Sequence, residues 1–311
     1  QLTYFLRKDS GKRAVVLIDE YDVPLEHAYS KGYYPQMVSV IGPLLQNVLK
    51  TNSENLQFAV VTGCLRIAKE GIYTGLNNPE INTVLMSGKN DFFGFTEEEV
   101  RKLLTDSGVG DHFDQVREWY DGYRFGDSII YNPWSVTSFL DKGELGTWWA
   151  DTSSNGLAGK LIREGDIGLK TEFEKLLAGG CIRVQIDEQI VFSDLEYSNE
   201  AVWSLLLASG YLRIEQLIRE KDEFGQPRYV HELAITNFET RRMFRRMVSF
   251  WFKKAGRNYP EFIKSMLSGN VKDMNRYMNR VALNTFSYFD TGSKPSEERE
   301  PERFYHGFVL G

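Results

Sequence analysis

Three acids, Asp19, Glu20 and Asp22, stand within four positions at the end of the apolar run Ala14-Val15-Val16-Leu17-Ile18. Carboxylates are hard oxygen donors, and one or two of them hold Mg²⁺ when phosphate and water complete its shell. Asp19 has the place of the metal- and cofactor-binding carboxylate, and Glu20 that of the group polarising a water that attacks a terminal phosphate. The same acids would also cap a strand-to-helix turn, and on these residues alone both readings stand. A second apolar run, Leu56-Gln57-Phe58-Ala59-Val60-Val61, ends in Thr62, a hydroxyl suited to reporting a γ-phosphate or orienting water. Two cations follow, Arg66 and Lys69, with the charge to stabilise a transferring phosphoryl group.

Those side chains converge only if the two runs are neighbouring strands. The first run is continuous and rich in β-branched residues, which predicts a central strand of a parallel sheet covered on both faces. Between the runs, over 35–50, Val38, Ile41, Leu44, Leu45, Val48 and Leu49 recur at helical spacing. Strand, crossover helix and strand make a βαβ unit, and ligands in such sheets gather at the carboxyl ends of strands. Asp19 and Thr62 are therefore expected at one sheet edge.

The ordered series Leu17-Ile18-Asp19-Glu20-Tyr21-Asp22-Val23-Pro24, Thr62-Gly63-Cys64-Leu65-Arg66-Ile67-Ala68-Lys69, Thr74-Gly75-Leu76-Asn77-Asn78, Phe93-Gly94-Phe95-Thr96-Glu97-Glu98-Glu99-Val100, Trp119-Tyr120-Asp121-Gly122-Tyr123 and Tyr131-Asn132-Pro133-Trp134-Ser135 resembles the predicted AAA-ATPase-like proteins of bacteria. The resemblance extends through 205–212 to Glu300-Pro301-Glu302-Arg303-Phe304-Tyr305-His306-Gly307-Phe308. It implies a P-loop NTPase region that binds ATP and Mg²⁺, joined to a C-terminal PD-(D/E)XK nuclease-like domain. It also implies a Gly-x-x-x-x-Gly-Lys-Ser/Thr loop upstream of the acid-ended strand. Ser10-Gly11-Lys12-Arg13, the nearby Gly-Lys pair, lacks the first Gly and the Ser/Thr and feeds a strand, so it is not that loop. The expectation is a middle segment of a longer protein, with little ATP turnover of its own.

The fold class expected is α/β: a partial P-loop NTPase parallel sheet, then a helical lid-like region, then a mostly helical region with a winged-helix layout. The boundaries are 1–92 for the NTPase core, 93–150 for the lid-like region, 151–289 for the region with the wing, and 290–311 for a linker and the start of the nuclease-like domain. Thr96 with Glu99 forms a capping box and Phe95 with Val100 a staple, predicting a helix over 97–105. Further helices are predicted over 111–120 and from Pro133, with 123–126 turning the chain. A helix over 200–209 closed by Gly210, then strands over 211–218 and 228–233, gives the wing. That helix carries no cation, unlike a recognition helix, and is expected to pack. Helices are predicted over 237–255, 259–268 and 270–285, and a linker over 290–302.

The 311 residues suffice for two domains, and 42% hydrophobic with 14% aromatic content can build a sizeable core. A net charge of −6 argues against a uniformly basic nucleic-acid surface, and no apolar run reaches membrane-spanning length. A cytoplasmic protein without membrane contact is expected. One local basic patch exists over 239–257, where Arg241 and Arg245, like Arg242 and Arg246, lie four apart. It reads either as a solvated helix face or as phosphate-backbone contacts to nucleic acid. Trp119, Tyr120, Tyr123, Tyr131 and Trp134 read as a packing cluster before a base-stacking platform. Cys64 and Cys181 are expected to be buried reduced thiols. His27, His112, His231 and His306 have no ligand spacing, Asp290-Thr291-Gly292 occurs once where a protease needs two aspartates, and no Gly-x-Ser-x-Gly is present. The functions to weigh are a Mg²⁺-dependent ATPase and, as the alternative, a non-hydrolysing nucleic-acid or protein-binding scaffold.

Overall fold

The computed structural model describes residues 1–64, 80–86, 88, 91–152, 155–222, 224–255, 265 and 268–276. The chain opens with helix α1 (Leu2–Ser10), which Gly11 ends in the left-handed conformation before strand β1 (Ala14–Ile18). Helices α2 (Val23–Lys31) and α3 (Tyr34–Leu49) follow, and strand β2 (Leu56–Val61) returns to pair with β1 in parallel. The βαβ unit is present, with α2 as an additional helix directly after the acids.

The sheet differs from expectation in its cover. Val15 and Leu17 of β1 pair with Phe58 and Val60 of β2, and all four side chains are exposed, Leu17 to 73%. Among the described residues, the face bearing Ile18 and Val61 is the one that packs against the core. A continuous apolar run does not distinguish a strand buried on both faces from one with an open apolar face, because it lacks the alternation that would mark the solvent side.

Helix α4 (Glu97–Asp106) starts at the capping box: the Thr96 N–H donates to Glu99 Oε2 at 2.8 Å and the Glu99 N–H to Thr96 Oγ1 at 3.3 Å. Helix α5 (Phe113–Tyr120) follows, then a short antiparallel hairpin, β3 (Tyr123–Phe125) and β4 (Ser128–Ile130), where a turn was expected. Helix α6 (Pro133–Lys142) begins with Pro in its first turn, and Asn132 Oδ1 accepts from the Ser135 N–H at 3.2 Å. Val100, Leu104, Phe113, Val116, Tyr120, Tyr131, Val136 and Phe139 form the core of this region.

Helices α7 (Trp148–Thr152), α8 (Gly156–Glu164) and α9 (Ile167–Leu177) lead to strand β5 (Ile182–Val184) and helix α10 (Asn199–Ala208). Strands β6 (Leu212–Lys221) and β7 (Pro227–Ile235) form an antiparallel hairpin, and β5 joins it in the order β5-β7-β6. Residues Ala201, Val202, Trp203, Ser204, Leu205, Leu206 and Leu207 of α10 are all buried, so this helix is a core element and presents no broad face outward. Helix α11 (Phe238–Ala255) crosses α5, α7 and α9.

One core joins the amino-terminal unit to the later elements: Tyr21, Leu25 and Leu45 cluster with Leu161, Phe173, Trp203, Leu233 and Phe244. Tyr29 stacks on Phe192 at 5.2 Å and its hydroxyl donates to Glu196 at 3.2 Å. Residues 271–276 are helical within the predicted 270–285 span, whereas most of 259–268 and all of 290–311 lie outside the described residues.

Candidate functional site

The carboxyl ends of β1 and β2 lie side by side, so the crossover brings Asp19 next to Thr62. Thr62 Oγ1 donates to Asp19 Oδ1 and accepts from the Glu20 N–H at 3.1 Å. The Thr62 N–H donates to Ile18 O at 2.9 Å, and Thr62 O accepts from the Tyr21 N–H at 3.0 Å. Glu20 has φ 52°, the only positive value at a non-glycine among the described residues. Such a backbone costs on the order of 1–3 kcal/mol and persists where surrounding contacts enforce it.

Below these exposed acids the chain is tightly fitted. Tyr21 and Asp22 are 8% and 5% exposed, and Gly63 lies against both. A Cβ on Gly63 would come within 2.6 Å of Asp22 Oδ1 and of the Tyr21 ring. Asp22 occupies the N-cap position of α2 without a side-chain cap bond, so strand-to-helix capping does not account for this acid.

Electrostatically the edge is negative. Burial pushes the Cys64 thiol up to about 11, and the carboxylates of Asp22, Glu20 and Glu26 add to the effect. Burial, then Asp22, likewise raises Glu26, with His27 opposing. By residue surface Cys64 is exposed and Cys181 intermediate, rather than buried as expected, and both are free, although surrounding protein atoms desolvate the Cys64 sulfur.

A negative edge with two exposed carboxylates, Asp19 and Glu20, fits a cation that is completed by phosphate and water. Among the described residues no three ligand side chains converge as a self-sufficient metal cage. Mg²⁺ in nucleotide sites takes one or two carboxylates and keeps the rest of its octahedron for water and phosphates. Arg66 and Lys69 lie outside the described residues. The Gly11-Lys12 pair closes α1 and does not open a helix, so its N–H groups are not arranged as a phosphate cradle.

The basic helix is engaged with its own chain. Arg245 donates to Leu177 O at 3.2 Å, Arg246 pairs with Asp151, and the Arg242 guanidinium lies 5.5 Å from the Trp119 ring centre. Arg241, half-buried, sits close to Gly179. The four arginines thus lie on two sides of α11, towards α9 and towards α5 and α7. The aromatic group is mainly a packing cluster: Tyr120, Tyr123 and Tyr131 are buried and Trp119 packs on Phe238 at 4.7 Å, although Trp134 is 57% exposed. A groove of about 680 Å³ between α9, α10 and the β5-β7-β6 sheet holds Glu172, Arg183, Glu220 and Arg228, and none of the strand-end acids.

Glu239 is a site-like residue that sequence reading missed. It is fully buried, Ser135 Oγ donates to its Oε2 at 2.8 Å and the Ala150 N–H to its Oε1 at 3.2 Å. Burial raises its carboxyl above the usual range, against the opposing pull of those hydrogen bonds. A lone acid in the first turn of a basic helix was its only sequence signal. Its bonds tie α6 and α7 to α11, which is a structural task.

Comparison with known proteins bears on the amino-terminal unit and on the chain as a whole. Residues 1–73 match the family model described as predicted AAA-ATPase. The chain is also 27% identical over 234 residues to the "Uncharacterized protein in vnfD 5'region" of Azotobacter chroococcum mcd 1, a match covering 74% of this chain and 42% of that relative. The chain therefore spans less than half the length of the relative it matches. No solved structure matches it. The unit that carries Asp19, Glu20 and Thr62 is thus the part of this chain that is similar to the predicted AAA-ATPases.

Proposed function

We propose that the carboxyl edge of β1 and β2 is the catalytic edge of a Mg²⁺-dependent nucleoside triphosphatase, coupled in the full-length gene product to a nuclease-like domain. The observation that carries this reading is the juxtaposition of Asp19 with Thr62 on adjacent parallel strands, in a segment similar to predicted AAA-ATPases. Asp19 would hold Mg²⁺, and the ion would supply charge neutralisation on the phosphates. Glu20 accepts a proton from, and orients, the attacking water. Arg66 and Lys69 follow β2 closely in sequence and supply positive charge to the phosphoryl group.

The open apolar face of Val15, Leu17, Phe58 and Val60 supports the same reading. Two-stranded parallel sheets do not stand alone, and parallel strands are normally covered on both faces. The helices of a larger NTPase domain, among them the one opened by its phosphate loop, would supply that cover. Asp19→Asn in the full-length protein tests the assignment: Mg²⁺-dependent stimulation of nucleotide binding should fall at least tenfold, with metal-free binding retained. Equal Mg²⁺ dependence in both proteins would remove Asp19 from the metal site.

A binding role for α11 remains the second reading, since Arg242, Arg245 and Arg246 keep exposed surface despite their internal contacts. Neutralising phosphates would make binding fall steeply with salt. If replacing Arg241, Arg242, Arg245 and Arg246 leaves nucleic-acid affinity and its salt slope unchanged, the patch serves packing alone.

A further inference from the structure

We propose that Thr62 is a positioning residue that holds a one-residue bulge just past the carboxyl end of β1, and that this bulge sets the direction of Glu20. In a regular parallel ladder a residue donates to one residue of the neighbouring strand and accepts from the residue two positions further on. Thr62 donates to Ile18, so its carbonyl should accept from Glu20. It accepts from Tyr21 instead. Glu20 is the extra residue, and its φ of 52° is the left-handed conformation of the first residue of a G1 bulge, a place glycine usually takes. Bulges of this kind recur beside active sites, where they re-aim a side chain.

The displaced Glu20 N–H is caught by the Thr62 hydroxyl at 3.1 Å, and the proton of that hydroxyl goes to Asp19 Oδ1. Thr62 therefore touches four consecutive residues: Ile18 and Tyr21 through its backbone, Asp19 and Glu20 through its side chain. A hydroxyl has one proton, so in this arrangement it has none for a γ-phosphate. Its task is to fix both acids, and Asp19 retains its second carboxylate oxygen for a cation. Serine preserves the clasp chemically; valine matches threonine in shape and removes it.

The clasp stands on hydrogen bonds alone, whereas its value for holding a cation rests on the function proposed above. Amide hydrogen exchange on the full chain separates the two, because Tyr21 bonds to the backbone of Thr62 and serves as an internal control. In Thr62→Val the Glu20 amide should exchange about five- to tenfold faster, with Tyr21 within about twofold of wild type, and Thr62→Ser should restore Glu20. Unchanged Glu20 exchange, or equal acceleration at both amides, would overturn the clasp. Mn²⁺ titration supplies the second arm: broadening of the Asp19 and Glu20 resonances in wild type and Thr62→Ser, weakened in Thr62→Val, supports positioning for a cation. Absence of broadening in wild type would refute the cation site while the exchange result still decides the clasp.

Discussion

Removing the carboxyl of Glu239 should uncouple three helices at once. Its two oxygens receive the Ser135 hydroxyl of α6 and the Ala150 N–H of α7, and the residue has no solvent exposure. Glu239→Ala strands both donors in the interior, each at about 1–3 kcal/mol, and leaves a small void, so a loss of about 3–5 kcal/mol is expected. Glu239→Gln retains an acceptor and the volume, and should cost about 1–2 kcal/mol. The pH dependence separates charge from shape. Because burial raises the folded-state value of Glu239, its contribution is fully present below the unfolded value of about 4.3 and is lost as pH rises through the folded value. Glu239→Gln should therefore gain on wild type as pH rises from 4 to 8. Urea denaturation of both variants across that range reads both effects. A Glu239→Ala loss below 1 kcal/mol, or a wild-type-to-Gln difference that does not vary with pH, would refute the reasoning.

Two further perturbations test the frame around the site. Gly63→Ala should destabilise by about 1–3 kcal/mol, since its Cβ meets the buried Tyr21 ring and Asp22 at 2.6 Å; thermal unfolding indistinguishable from wild type would show that these side chains move aside freely. Thr96→Ala should cost about 1 kcal/mol through loss of the α4 cap, read as a lower urea midpoint at unchanged slope, and an unchanged midpoint would contradict the capping role.

Local signals made much of this fold legible. The Thr96–Glu99 box, Pro133 at a helix start and Gly210 after α10 act within a few residues of themselves, and their elements appear where sequence chemistry puts them. The β1-α3-β2 crossover was legible because one helical period separates two apolar runs. Strand β5 was not: Ile182-Arg183-Val184 is three residues long and is a strand only because β7 lies beside it. The cover of β1 was misread for a similar reason, since what packs on Leu17 is decided by distant chain. At the site, the meeting of Asp19 and Thr62 followed from topology. The bulge at Glu20 and the use of the Thr62 hydroxyl depend on a single-residue shift in hydrogen bonding, which residue types do not encode.

The central claim is that the strand-end acids perform phosphoryl-transfer chemistry, and Glu20 is the residue on which it turns. Steady-state phosphate release from ATP by the full-length protein, compared between wild type and Glu20→Gln at matched nucleotide occupancy, tests it most directly. The account predicts turnover reduced at least a hundredfold, with ATP binding retained. Turnover equal to wild type in Glu20→Gln would contradict it.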